Sequence, residues 1–256
     1  MIEEIQKRWA SKYNPSLIQG YDCGDCANRS GAFYALAGYI EGATKWQMRW
    51  LVAADLLERN GILLRGKDLG TWPSDYYGRS TSRDQTAPFL AACIIMGDFQ
   101  RIKRIKAQWK SRFYFGQNTY ANYVHPPGHS PQTDGYPPAT DQDRRIPDIC
   151  TPALWTMFNY DSHLRSLVDI MLIGDNKFID KHWDWSIQAI PQLIALNSVC
   201  QTWSSRKALL AVDKDKVKIQ VKSYFIESPL RDTNGLTEMA DLYIEALAKA
   251  QERNAI

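Results

Sequence analysis

An all-α fold, built of repeated inner and outer helical hairpins that form an α/α toroid or an incomplete one, is what the sequence predicts. Three observations predict it. Apolar residues recur at helical spacing along most of the chain, and alternating runs of strand type are nearly absent. Two apolar segments also share one grammar: Asp84-Gln85-Thr86-Ala87-Pro88 leads to a break at Gly97-Asp98, and Asp148-Ile149-Cys150-Thr151-Pro152 to one at Gly174-Asp175. At 256 residues, the length suits one large domain over 1–256 with long loops at 61–81 and 114–147.

The first predicted hairpin runs from Asp25 to Asn60. Phe33, Leu36, Ala37 and Ile40 mark one apolar helix over Asp25–Gly42; Trp46, Trp50, Ala54 and Leu57 mark the next, over Thr44–Asn60, which Asn60-Gly61 stops. The second hairpin opens at Ser82-Arg83-Asp84-Gln85, a capping-box pattern ahead of the buried run Ala87–Met96. Its outer helix, Phe99–Phe113, sets Ile102, Ile105, Trp109 and Phe113 on a core stripe. Arg101, Lys103, Arg104, Lys106, Lys110 and Arg112 are expected on a solvated basic face.

Further inner helices follow. One begins at Asp148 and continues through Met157, with Leu164–Ile173 after it; another covers Ser186–Cys200 with Pro191 near its start, where the missing N–H opens the first turn. Lys214–Phe225 fits a helix or a short strand, and Thr237–Arg253 is an amphipathic helix. The two long loops are rich in aromatics: Trp72, Tyr76 and Tyr77 in the first; Tyr120, Tyr123, His125, His129 and Tyr136 in the second, which holds 6 of the 12 prolines. Loops of that length in a compact domain are usually functional or disordered, and the aromatic content argues against disorder.

Composition excludes several classes. Thirty-one Lys and Arg against 28 Asp and Glu give a net charge of +3, so polyanion binding would need a local patch, and nucleic acid is not an expected partner. No apolar run reaches the roughly 18 residues of a membrane span, and residues 1–13 lack a signal-peptide core; a cytoplasmic or virion-associated place is expected. Walker, GxGxxG, HExxH and GxSxG motifs are absent, and no cofactor or metal is called for. Cys23-Gly24-Asp25-Cys26 has the spacing of half a zinc site or a redox couple, but without a second ligand pair or a preceding strand, free thiols at a helix start are preferred. Cys93 and Cys200 read as small core residues.

Three features carry a resemblance: Asp22-Cys-Gly-Asp25-Cys-Ala-Asn28-Arg29-Ser-Gly31, the stretch from Tyr76-Tyr77-Gly-Arg79 to Gln85, and the Trp-rich loops, about half the chain together. On these the chain resembles the α/α-toroid enzymes that degrade polysaccharides, glycoside hydrolases and polysaccharide lyases, including phage tail depolymerases. That resemblance implies a cleft lined with carboxylates and aromatics at the loop ends of the inner helices.

Glycosidic cleavage needs one acid to protonate the leaving oxygen and a second carboxylate to activate water or attack the anomeric carbon. Asp84 is the first candidate, with Asp25 or Asp148 as partner, since both precede other inner helices. Arg29 and Arg83, with Gln85, suit binding of an acidic sugar, and Trp72, Tyr76, Tyr77 and Tyr136 suit stacking on pyranose faces. His182-Trp183-Asp184-Trp185 would form a secondary wall ahead of an inner helix. For β-elimination, Tyr77, His125, His129 and Tyr136 with Arg83 are the candidate base and carboxylate-neutralising groups. The expected partner is a polysaccharide or oligosaccharide; a non-enzymatic carbohydrate-binding or phage structural subunit is the competing class.

Overall fold

A computed structural model describes residues 1–10, 14–18, 26–64, 81–112, 123–124, 157–158, 160, 183–200, 203–222 and 236–255. The described chain is mostly helical: α1 (Ile2–Trp9), α2 (Cys26–Glu41), α3 (Ala43–Leu57), α4 (Arg83–Met96), α5 (Phe99–Arg112), α6 (Trp183–Cys200), α7 (Trp203–Leu210), α8 (Lys214–Lys222) and α9 (Leu236–Asn254). Two short antiparallel ladders accompany them, β1 (Glu58–Arg59) with β2 (Ile62–Leu63), and β3 (Thr81–Ser82) with β4 (Tyr123–Val124).

The centre is α2. Its sequence is apolar or small all round, so nearly every residue from Cys26 to Ile40 is buried. Helices α3, α4, α6 and α9 pack around it, and its most extensive partner is α4. Small residues make that contact possible. An added Cβ on Gly31 would lie 2.5 Å from the Phe89 amide nitrogen and 2.6 Å from the Pro88 carbonyl carbon; on Gly38 it would meet the Met96 methyl at 2.7 Å. Seven residues along α2 thus correspond to seven along α4, so the two helices run parallel and in step. Their N-termini share one end.

At the opposite end the C-termini gather. Lys249 of α9 donates to the Ile40 carbonyl, Arg253 lies 4.6 Å from the Tyr39 ring centre, and Asn197 of α6 donates to Asn254 at 3.2 Å. Cations beside these last carbonyls offset the negative helix ends. The α3 helix returns antiparallel to α4, with the Trp50 ring 4.9 Å from that of Phe89 and tilted by 54°, and Gln47 donating to the Met96 carbonyl. Phe33, Tyr34, Trp46 and Trp50 complete an edge-to-face aromatic core. Of these, Phe33, Trp46 and Trp50 are rings that the helical spacing assigned to the interior; Tyr34 was not among them. One buried cluster extends from Ile2 to Ala250.

Several boundaries differ from the sequence expectation. Asn60-Gly61 does not end α3, which stops at Leu57; both residues have positive φ, 53° and 83°, and form the two-residue turn of the β1–β2 hairpin. The segment 61–81 is therefore not wholly loop, nor is 114–147, since Tyr123 and Val124 pair with Ser82 and Thr81. Trp183–Trp185 do not precede α6 but form its first turn, so Pro191 falls at its ninth position and is buried in mid-helix rather than opening the start. Lys214–Lys222 is helical, which resolves the helix-or-strand ambiguity there. The helices expected from Asp148 and from Leu164 lie outside the described residues, apart from a buried helical pair at Met157 and Phe158.

Arg101 is the clearest correction. Arg101 is not on a solvated face: it is 4% exposed and donates to Asp98, Glu58 and Asp55, each at 2.6 Å. Arg104, half exposed, reaches Glu58 at 2.8 Å. A carboxylate buried at the end of α3 needs cations, and the first two turns of α5 supply them.

Candidate functional site

The end shared by the N-termini of α2 and α4 collects the predicted site residues that the described chain includes. Arg83, Asp84 and Gln85 form the backbone of the first turn of α4; their side chains lie outside the described residues. Carried back one turn from Gly31 and Pro88, the parallel register brings Ala27 level with Asp84. The first turn of α2, with Cys26 and Arg29, therefore stands beside the first turn of α4. Arg29 is buried, 8% exposed.

Pro88 shapes this turn. Without an N–H it cannot bond to the Asp84 carbonyl, so that carbonyl lacks its usual helical donor. The positive ends of two parallel helix dipoles also converge here, an environment that favours a carboxylate over its protonated form. Thr86, fully buried, is a polar residue of the same turn; Gln192, 1% exposed, follows the second mid-helix proline in α6. Neither stands out in the sequence as a site candidate. Their mark is polarity inside otherwise apolar helices.

The β3–β4 ladder adds the second component. Thr81 pairs with Val124 and Ser82 with Tyr123, directly ahead of Arg83. The two long aromatic-rich segments are thereby joined at the start of α4, and His125 is the next residue after the paired Val124. Asp25, Asp148, Trp72, Tyr76, Tyr77, His125, His129, Tyr136 and Cys23 themselves lie outside the described residues.

A tether holds the approach to α2. Ser16 donates its amide to Asn14, the Ile18 amide donates to Ser30 Oγ at 3.0 Å, and the Tyr34 hydroxyl donates to the Ser16 carbonyl at 2.9 Å. Gln6 of α1 donates to the Pro15 carbonyl at 2.7 Å. Burial pushes the Tyr34 phenol far above its ordinary range, so it remains a neutral donor.

Cys26 and Cys93 are buried and outside any disulfide; desolvation raises Cys93 well above the ordinary thiol value, which leaves it a poor nucleophile. Among the described residues no group of three His, Cys, Asp or Glu is suited to hold a metal ion, and no helix is long and apolar enough to cross a membrane.

The charge cluster at the far end of α3 was not anticipated as a unit. Burial alone would raise the Glu58 carboxyl, but hydrogen bonds from Arg104 and the Gly61 amide, with the charges of Arg104 and Arg101, hold it below its ordinary value. Asp98 and Arg101 at i, i+3, beside a hairpin turn, were the available clue.

Comparison with family models, with curated proteins and with solved structures gave no match.

Proposed function

We propose that the chain is a carbohydrate-active enzyme, a glycoside hydrolase that cuts a polysaccharide or oligosaccharide with paired aspartates in an aromatic-lined cleft. One observation carries the reading: the β3–β4 ladder joins both aromatic-rich segments where α4 begins, at the turn that holds Asp84. A sugar cleft needs that combination, stacking rings on loops and a carboxylate on a rigid helix start.

Asp84 is assigned to acid/base or nucleophilic work, with Asp25 or Asp148 as its partner. Arg29, in the first turn of α2 beside the first turn of α4, is assigned to substrate binding. Two carboxylates of this class act at about 5 to 10 Å, the shorter range for a covalent intermediate and the longer for direct attack by water.

The test is incubation with a panel of bacterial exopolysaccharides, reading both reducing ends and the ultraviolet absorbance of unsaturated products. New reducing ends without absorbance are expected, with loss of about 10² or more in turnover for Asp84→Asn at unchanged melting temperature. Unsaturated products would replace hydrolysis by elimination, for which His125, next to the ladder, is the first residue to substitute. No cleavage of any polymer, or full turnover by Asp84→Asn, overturns the assignment.

A further inference from the structure

The net charge of +3 is not spread evenly. Residues 203–222, which make α7 and α8, hold six cations, Arg206, Lys207, Lys214, Lys216, Lys218 and Lys222, against two carboxylates, Asp213 and Asp215; the rest of the chain has 25 cations against 26 carboxylates. The pair thus carries a net +4 and the remainder of the chain −1, although α5, with six cations and no carboxylate, is the more basic by sequence. The core-facing side of the pair is fixed, with Leu209, Val212 and Val217 buried, and Gln251 of α9 donating to the Leu209 and Val212 carbonyls at 3.0 and 2.7 Å. Lys207, Lys214 and Lys218 are exposed, and Lys214 and Lys218 make no ion pair among the described residues.

The other basic segment, α5, is different. Its Arg101 and Arg104 are engaged with Asp55, Glu58 and Asp98, so two of its six positive charges are met within the fold. Exposed Ile219, at 69%, and Leu210, at 42%, also place apolar surface among the lysines of α7 and α8. That mixture suits a polymer with charged groups and C–H faces.

We infer that the exposed side of α7 and α8 is a non-catalytic docking surface for an acidic polysaccharide, one bearing carboxylates on its sugars. The inference rests on the polysaccharide reading above and narrows its substrate to polyanionic chains. Lysines spaced along a fixed surface attract such a polymer over several ångströms and raise its local concentration, with an affinity that falls as salt screens the charges. Stacking on aromatic rings would lack that salt dependence.

Affinity electrophoresis of the full chain in gels containing polygalacturonate, alginate or neutral dextran tests it, with duplex DNA as a further polyanion. Expected is retardation by the polyuronates and not by dextran, reduced at least fivefold by 0.3 M salt and at least fivefold in the triple variant Lys207→Gln, Lys214→Gln, Lys218→Gln. These are surface positions, and circular dichroism of the variant checks its helices. A second variant, Lys103→Gln with Lys106→Gln on α5, should keep the retardation. Equal mobility of the triple variant and the parent chain overturns the inference, as does DNA retardation that matches the polyuronates. Retardation by polyuronate without cleavage of any polymer keeps the docking surface and removes the hydrolase; cleavage without retardation does the reverse.

Discussion

A methyl group on Gly31 would press into the backbone of α4 at Pro88 and Phe89, which has no side-chain torsion to relieve it. Gly31→Ala should therefore cost about 3 kcal/mol, the upper part of the usual range for overpacking. Gly97→Ala is the natural comparison: its φ of 73° strains an alanine, but nothing stands within 4 Å, so about 1 kcal/mol is expected. Urea denaturation of both variants measures the difference. At the same scale, Asp84→Asn should abolish most turnover while melting stays near the parent value, because asparagine supports a helix start nearly as well as aspartate. The interior residues were plain in the sequence wherever a 3.6-residue period repeated, as at Phe33, Leu36, Trp46 and Trp50. Arg101 was not, because a cation on an outer helix looks solvated until the carboxylates of another helix are brought against it.

Elements show the same division. Asn-Gly serves equally as a helix stop and as a hairpin turn; the apolar Ile62-Leu63-Leu64 that follows was the local clue for the hairpin, and the choice was settled by pairing with Glu58 and Arg59. The ladder of Thr81–Ser82 with Tyr123–Val124 joins residues some 40 positions apart, and no local pattern in two-residue strands announces it. The α5 helix is held to α3 and the hairpin by the Arg101 cluster, so Arg101→Met, which leaves Glu58 and Asp98 short of a cation, should cost roughly 3 kcal/mol in thermal or urea unfolding. Acid acts on the same contact. The Glu58 carboxyl lies lower in the folded chain than its ordinary 4.5, so its stabilisation is complete above about pH 4.5 and is lost as pH falls through the folded value. Melting temperature should drop in that window for the parent chain. Glu58→Gln, less stable at neutral pH, should lack this part of the drop.

For the whole molecule, the important contacts are those that close the chain on itself. Helix α9 returns to α2 more than two hundred residues later, with Lys249 at the Ile40 carbonyl and Ala246, Leu247 and Ala250 in the common core. Deleting residues 236–256 should expose apolar surface of α2 and leave helical far-ultraviolet dichroism with a weakened near-ultraviolet signal from the Phe33–Trp46–Trp50 cluster. A truncated chain with the parent near-ultraviolet spectrum would show that α9 only decorates the core. That α2 and α4 would be inner helices was readable from their uniform apolarity. Their parallel alignment had no such local mark, since α2 lacks the Asp/Pro opening of α4, and the toroidal closure expected from the repeats goes beyond the helices whose packing is described.

The touch of backbone on backbone between Gly31 and Pro88–Phe89 also has a meaning for descent. Paired side chains can drift together, one growing as the other shrinks, and a lineage loses the trace of its origin. A main chain resting on a main chain has no such exchange open to it. Homologous chains that keep this crossing must keep glycine at that point, and the second glycine seven residues on relieves the same groove where α2 passes Ile95 and Met96. Glycine, six residues, glycine, with Pro-Phe following 57 positions after the first, is thus the inheritance expected to outlast the lysines of α8 or the rings of the loops. It is the pattern by which remote kin of this chain can be sought.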